Sequence, residues 1–355
     1  MRAVRWHGRN DVRVEDVELR QPEANEVVVE VLWCGLCGTD LEEIRSGPLT
    51  IPVVPHPLSG RHAPLTLGHE IVGRVVRAAA DGSGPGEGTV VVPDVVNGCG
   101  RCWWCLRHEE GLCPILSVPG QQDDGGLAEL MIARASTCLI VPSGLPTRLA
   151  VLAEPAAVAV RALGKVPALG GGTLLVLGAG AIGQLVVQIA FAQGISSCVL
   201  VDPSPFRRQF AADRSPVRTC TPDELDELLV GLPQPGVSAV VECSGAAGQL
   251  DRALREVRPG GTVVAVGLRA GEERISVPDL VLAERTLVGS AAHIWDVDVA
   301  RAVALLADSS IRVDGLITEE IRLENAAGRL LELASSGISR EDLKIVVRCS
   351  DWSDR

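Results

Sequence analysis

Leu174-Leu175-Val176-Leu177-Gly178-Ala179-Gly180-Ala181-Ile182-Gly183 decides the fold of the second half of this chain. A four-residue apolar run has the length and composition of a buried parallel strand. It runs directly into G-x-G-x-x-G, and Ile182, Leu185, Val186, Ile189 and Ala190 then follow at helical spacing until Gly194. In a strand–turn–helix setting this is a dinucleotide fingerprint. Gly178 permits the tight turn, Gly180 lets backbone approach a pyrophosphate, and Gly183 lets helix and strand pack closely. Ala181 and Ile182 open the helix, whose free N–H groups and partial positive charge suit phosphate. Asp202 follows 24 residues after Gly178, where a carboxylate accepts from ribose hydroxyls and repels a 2′-phosphate. NAD is therefore expected in preference to NADP. Arg207 and Arg208 weaken that preference, since arginine also holds phosphate, although a solvated helix start explains them as well.

Outward from this turn the theme repeats. Cys198–Asp202, Ala239–Glu242 and Val263–Gly267 are further apolar runs separated by helix-length segments. That alternation predicts an α/β domain with a doubly wound parallel sheet. Residues 1–155 read differently, as short Val-rich runs punctuated by Gly and Pro: Val12–Val17, Glu26–Leu32, Ile71–Arg77 and Thr89–Pro93. They predict a compact, barrel-like β-rich domain.

Composition narrows the function classes. The 355 residues are 46% apolar, enough for two cores, and the net charge of −12 offers no basic face to nucleic-acid phosphates or anionic membranes. No apolar run reaches the roughly 18 residues of a transmembrane helix. Residues 1–8 pass directly into a strand pattern with no apolar signal region, so a cytoplasmic protein with reduced cysteines is expected. The chain has no tyrosine and two lysines, Lys165 and Lys344, which removes tyrosine as a candidate acid or base.

Reduced cysteines at metal spacing are best read as ligands. Cys99, Cys102, Cys105 and Cys113 form C-x2-C-x2-C-x7-C, a closed thiolate set suited to structural zinc. Cys37 and His69-Glu70 supply a thiolate, an imidazole and a carboxylate, which suit an open zinc site. Cys34 with Cys37 also makes C-x-x-C, but without the βαβ context of a redox motif. Cys138, Cys198, Cys220, Cys243 and Cys349 have no metal spacing and read as small hydrophobes.

The order of Gly35-Leu36-Cys37-Gly38-Thr39-Asp40, Gly68-His69-Glu70, the four-cysteine lobe and G-x-G-x-x-G resembles the zinc-dependent medium-chain alcohol dehydrogenases over essentially the whole chain. Pro55–Gly60 followed by Ala63–Glu70 is similar to the butanediol and sorbitol (polyol) members. The resemblance implies a GroES-like β-rich catalytic domain over residues 1–157 and 296–355, with a structural zinc lobe at about 97–115. It implies a Rossmann coenzyme domain over 158–295, with the active site in the cleft between the two. It implies two zinc ions per chain, one structural and one catalytic, the latter held by Cys37, His69, Glu70 and Glu154. Asp40 would orient His69. Lys344 would lie near the coenzyme pyrophosphate, and Thr39 would be the first proton relay. Relatives often place histidine three residues later; Glu42 stands there, either as terminal base or as a solvated carboxylate.

The activity so implied is hydride exchange between a secondary alcohol (diol, polyol, cyclitol or sugar-like) and NAD. The alternatives are a biosynthetic NAD(P)H-dependent ketone or aldehyde reductase and, more remotely, a non-catalytic zinc- and nucleotide-binding protein. The partners expected are a small-molecule alcohol or ketone and further copies of the chain in a homodimer or homotetramer, with Val281–Ser290 as the pairing region. His293 follows the last expected strand of the coenzyme domain and would reach toward nicotinamide or substrate.

Overall fold

In a computed structural model that describes residues 1–232, 234–268 and 271–351, Thr173–Leu177 lies between Cys198–Val201 and Val237–Glu242 in one six-stranded sheet. All its pairs are parallel, and the order is Arg218–Cys220, Cys198–Val201, Thr173–Leu177, Val237–Glu242, Thr262–Ala265, Thr286–Gly289. In order of appearance this is 3-2-1-4-5-6, the doubly wound dinucleotide-binding order. The apolar runs are continuous because helices cover such strands on both faces. Leu175, Leu177, Val199, Val240 and Val263 form the buried core. The helix Ala181–Ala192 leaves the first strand through the glycine turn and ends ahead of Gly194, whose φ of +89° suits glycine.

The sheet belongs to a unit comprising Pro155–Ala292 and Ser309–Arg312; the other unit comprises Met1–Glu154, His293–Asp308 and Val313–Arg355. This other unit is built on a largely antiparallel sheet ordered Ile317–Arg322, Lys344–Arg348, Glu26–Gly35, Glu70–Arg77, Val90–Pro93, Cys138–Ile140. Leu130–Arg134 also pairs with Glu26–Gly35, and Arg2–Gly8 forms a smaller sheet with Asp11–Asp16 and Leu65–Thr66. Alternating valines of Glu26–Gly35 pack with Trp6, Leu65, Ile71, Leu127 and Leu330 in its core. Three neighbouring strands thus carry Gly35, Glu70 and Lys344 into one place. Among the described residues, no helix is long and apolar enough to cross a membrane.

Candidate active site

The glycine turn divides its work among three residues. Gly178 has a φ of +95°, and a Cβ there would meet Ser244 at 2.9 Å. Gly180 caps the helix and faces open space, with no protein atom within 4 Å of the position a Cβ would take. Gly183 packs so closely that a Cβ would lie 1.9 Å from the Gly178 carbonyl oxygen. The room at Gly180 beside the free N–H groups of Ala181 and Ile182 suits a phosphate-bearing ligand.

Asp202 is buried at the end of the neighbouring strand. Its Oδ2 accepts the Ala179 N–H at 2.8 Å and its Oδ1 accepts the Ser204 N–H at 2.8 Å. A carboxylate offers about four acceptor sites, so these two bonds leave it acceptor capacity to spare. Arg208 donates to the Asp202 carbonyl at 2.6 Å. Arg207 donates its backbone N–H to the Ser204 hydroxyl, which caps Pro205–Ala212. Both arginines therefore begin a helix beside the acidic strand end.

In the other unit, Cys37 caps the helix Gly38–Ser46. Asp40, in the first turn, accepts the Cys37 N–H at 3.0 Å through Oδ2, while its Oδ1 lies 3.6 Å from His69 Nδ1. One buried carboxylate thus spans the two expected ligands. His69 follows Gly68, whose φ is +93° and whose missing side chain leaves space for Cys34 and Leu127. Gly125 packs against the Gly68 carbonyl in turn. On the far side of the ring, the Thr39 hydroxyl lies 3.3 Å from His69 Nε2.

Glu70 and Lys344 are both buried and form an ion pair, and Lys344 Nζ also donates to the Leu36 carbonyl at 2.9 Å. The sequence expectation set this ammonium at a coenzyme pyrophosphate; here it is held by a carboxylate and a carbonyl inside its own unit. Glu154 opens the helix Ala153–Gly164, with its side chain 13% exposed. Glu42 pairs with Arg45 on the next turn of its own helix.

The electrostatics of this group favour a cation. Burial alone would lower the His69 pKa, but Asp40, Cys37 and Glu154 outweigh it and hold it well above the ordinary value. Burial pushes Glu70 up to about 7 against the pull of Lys344, and Glu154 adds to the rise. Cys37, His69, Glu70 and Glu154 offer the ligand types of an open divalent-ion site, while among the described residues only the four-cysteine lobe has its ligand atoms within 4.8 Å of one another.

The four-cysteine lobe is closed. The sulfur atoms of Cys99, Cys102, Cys105 and Cys113 lie within 4.8 Å of one another. The Cys99 N–H points at Cys113 Sγ (3.5 Å) and the Cys105 N–H at Cys102 Sγ (3.4 Å). Backbone N–H groups of Arg101 and Cys102 lower the Cys99 thiol to about 6, whereas burial and the neighbouring thiols push Cys105 up to about 12. Four sulfurs at this spacing fit one tetrahedral ion with no open position. Trp103 and Trp104 meet edge to face at 4.6 Å and Arg107 covers Trp103, so the tryptophans pack the lobe itself.

Residues 23–143 match the alcohol dehydrogenase GroES-like domain family, and residues 181–308 match the zinc-binding dehydrogenase family. The (R,R)-butanediol dehydrogenase of Bacillus subtilis (strain 168) is 30% identical over 98% of this chain and 99% of its own. The chain belongs to the zinc-dependent medium-chain alcohol dehydrogenases. It is related to the polyol members of that family: the sorbitol dehydrogenase of the same bacterium is 27% identical over 98% of this chain and 97% of its own. A zinc-binding dehydrogenase from Sinorhizobium meliloti 1021, solved bound to NADP, superposes with a TM-score of 0.85 at 27% identity, covering 98% of both chains.

Sequence reasoning overlooked two residues of this medium-chain dehydrogenase and misplaced a third. Gly35 heads the Gly35–Asp40 motif with no role read from it there, and Asp94 carries no motif. Gly35 matters because a Cβ there would lie 1.9 Å from Glu70 Oε2. His293 was expected in the coenzyme domain, facing nicotinamide or substrate. It belongs instead to the unit that carries His69, with Nε2 2.9 Å from Asp94 Oδ1 and Nδ1 3.7 Å from Glu154 Oε1. A histidine beside a proline-preceded aspartate nearly two hundred positions away leaves no local signal. Among the remaining cysteines, burial pushes the Cys138 and Cys198 thiols up to about 12 and raises Cys220, Cys243 and Cys349, which makes them inert.

Proposed function

We propose that this chain is a zinc-dependent oxidoreductase that exchanges hydride between a secondary alcohol of the diol or polyol class and a nicotinamide dinucleotide, NAD in preference to NADP. The observation that carries the reading is the joining of Cys37 and His69 by Asp40, with the Thr39 hydroxyl at His69 Nε2. Cys37, His69 and Glu154 would hold the catalytic zinc, with Glu70 as a further carboxylate beside them, and the four-cysteine lobe would hold a second, structural zinc. When bound, zinc polarises the substrate oxygen and the nicotinamide exchanges the hydride.

The protein's own contribution is position and proton handling. Asp40 sits behind His69 Nδ1 and leaves Nε2 facing the reacting side. Thr39 Oγ1, beside that nitrogen, would relay the substrate hydroxyl proton in oxidation, taking it up as its own hydroxyl proton passes to water, and would run the same exchange in reverse in ketone reduction. Glu42 is less suited to take that proton onward, since Arg45 holds its carboxylate along the helix. In the other unit, Gly180 and the following N–H groups receive the pyrophosphate, and the open acceptor sites of Asp202 receive the ribose hydroxyls.

The similarity to butanediol and sorbitol dehydrogenases supports vicinal hydroxyls in the substrate. The test is absorbance at 340 nm with the zinc-loaded protein. Vicinal diols, polyols, cyclitols and sugars are offered with NAD or NADP, and the matching ketones with the reduced cofactors. NAD-linked turnover that disappears in Cys37→Ser and His69→Ala supports the proposal. Turnover that survives both variants refutes it.

A further inference from the structure

We propose that His293, anchored by Asp94, is a positioning residue that sets the carboxylate of Glu154 in the catalytic metal site. This rests on the reading of Glu154 as a metal ligand given above.

The chain delivers His293 to this place through an unusual turn. Trp295–Val299 is a single π-helical turn, a rare conformation that recurs at functional sites. The Asp298 carboxylate accepts the Ile294 N–H at 2.8 Å and fixes the start of the turn next to His293. The imidazole is almost completely enclosed, with 1% of its side chain exposed.

Asp94 is enclosed too, with 3% of its side chain exposed, and it is held from its own strand end: Oδ1 accepts the Val96 N–H at 3.2 Å as well as His293. An aspartate carboxylate only accepts, so the hydrogen between Asp94 and His293 is carried by Nε2. That bond fixes the ring plane. It leaves Nδ1 as a buried nitrogen with no hydrogen-bond partner, aimed at Glu154 Oε1 from 3.7 Å. This spacing is too long for a hydrogen bond, and it makes an ion pair when both ring nitrogens, each facing a carboxylate, carry hydrogen.

Burying a histidine and an aspartate together is costly, and an apolar pair would fill the same space more cheaply. The orphaned Nδ1 adds to that cost. Both costs are explained if the ring has work to do at Glu154. One oxygen of that carboxylate is then engaged from behind by His293, and the other is presented to the metal. Asp40 stands behind His69 in the same manner, with Oδ1 3.6 Å from Nδ1. Outer partners of this kind typically change metal affinity or activity by about 10–100-fold when they are removed.

The test uses the full chain loaded with cobalt(II), whose visible spectrum reports the ligand field of each site. The four-thiolate lobe serves as the internal control. His293→Gln keeps an amide nitrogen within reach of Asp94 and removes the nitrogen facing Glu154. It is expected to weaken cobalt at the catalytic site by about 10–100-fold and to shift that site's bands, with the lobe's thiolate bands unchanged. His293→Asn places an amide nitrogen near the Nδ1 position and is expected to recover part of the affinity. Glu154→Gln separates the two levels of the argument. If Glu154→Gln alters the catalytic-site spectrum and neither His293 variant does, His293 does not position Glu154. If Glu154→Gln also leaves the spectrum unchanged, Glu154 is not a ligand and the underlying reading fails as well. A His293→Gln protein that melts earlier yet keeps wild-type cobalt affinity and bands shows a structural role alone, which overturns the proposal. If His293→Gln does not fold, His293→Asn with a weakened or shifted site supports it and with wild-type bands overturns it.

Discussion

The ammonium of Lys344 is buried against the carboxylate of Glu70 directly over the Cα of Gly35. Three adjacent strands make this possible. Glu70 pairs with Gly35 in one direction and Val346 pairs with Gly35 in the other. The two charged side chains then meet across the central strand, where any other residue would stand between them.

Gly35→Ala tests that arrangement. Its Cβ would lie 1.9 Å from Glu70 Oε2 and 3.0 Å from Lys344 Cε, so the ion pair must shift. The variant is expected to lose about 1–3 kcal/mol in urea unfolding. The effect comes from occupied space, since Gly35 is not among the positive-φ glycines.

Lys344→Met removes one partner and leaves Glu70 buried without its cation. A loss of about 3–5 kcal/mol is expected, and the double variant Lys344→Met/Glu70→Gln is expected to recover much of it. Equal stability of the single and double variants in a denaturant titration would show that the pair contributes nothing.

Thr39→Val removes the hydroxyl at His69 Nε2 and is expected to lower kcat by about 10²–10⁴-fold. Glu42→Gln is expected to cost less than about 10-fold, because Arg45 already holds that carboxylate on the helix surface. Steady-state rates of the two variants, compared across pH, decide between a relay that passes through Glu42 and one that does not.

His108 Nε2 lies 2.6 Å from Asp296 Oδ1, and this bond raises the His108 pKa above its ordinary 6.5. The folded protein therefore binds that proton more tightly than the unfolded chain. The stabilisation is full below about pH 6.5 and fades as the pH rises through the folded value. Because the pair is exposed, it amounts to less than about 1 kcal/mol. The difference in urea midpoint between the wild type and His108→Gln is expected to be largest near pH 6 and to vanish at alkaline pH.

Metal removal should expose the lobe chemically. With Cys99 near 6, the metal-free protein is expected to react with a thiol reagent at pH 7.5 first at the lobe, while Cys138 and Cys198, near 12, stay silent until denaturant is added. Zinc should protect the lobe. Fast labelling of Cys138 or Cys198 in the native protein, located by mass spectrometry, would contradict the burial argument.

By itself the sequence determined whatever short-range physics governs. Apolar runs of strand length, a glycine turn opening a helix, and four cysteines at metal spacing are each read within a few neighbouring residues. The parallel sheet, the β-rich unit and the family all follow from them. The same local reading named Cys37, His69 and Glu70 as candidate ligands, because each stands in a short motif of metal-binding residue types. Only the tertiary structure decided the polar partners that act from outside the motifs. Lys344 meets Glu70 across 274 positions, and His293 meets Asp94 across 199. The reason is physical: a buried charge or ring nitrogen takes whichever partner the packed strands bring to it, and strand order is a property of the whole sheet. The sequence expectations for Lys344 and His293 pointed toward the coenzyme because nothing near either residue in the chain records the carboxylates that hold them.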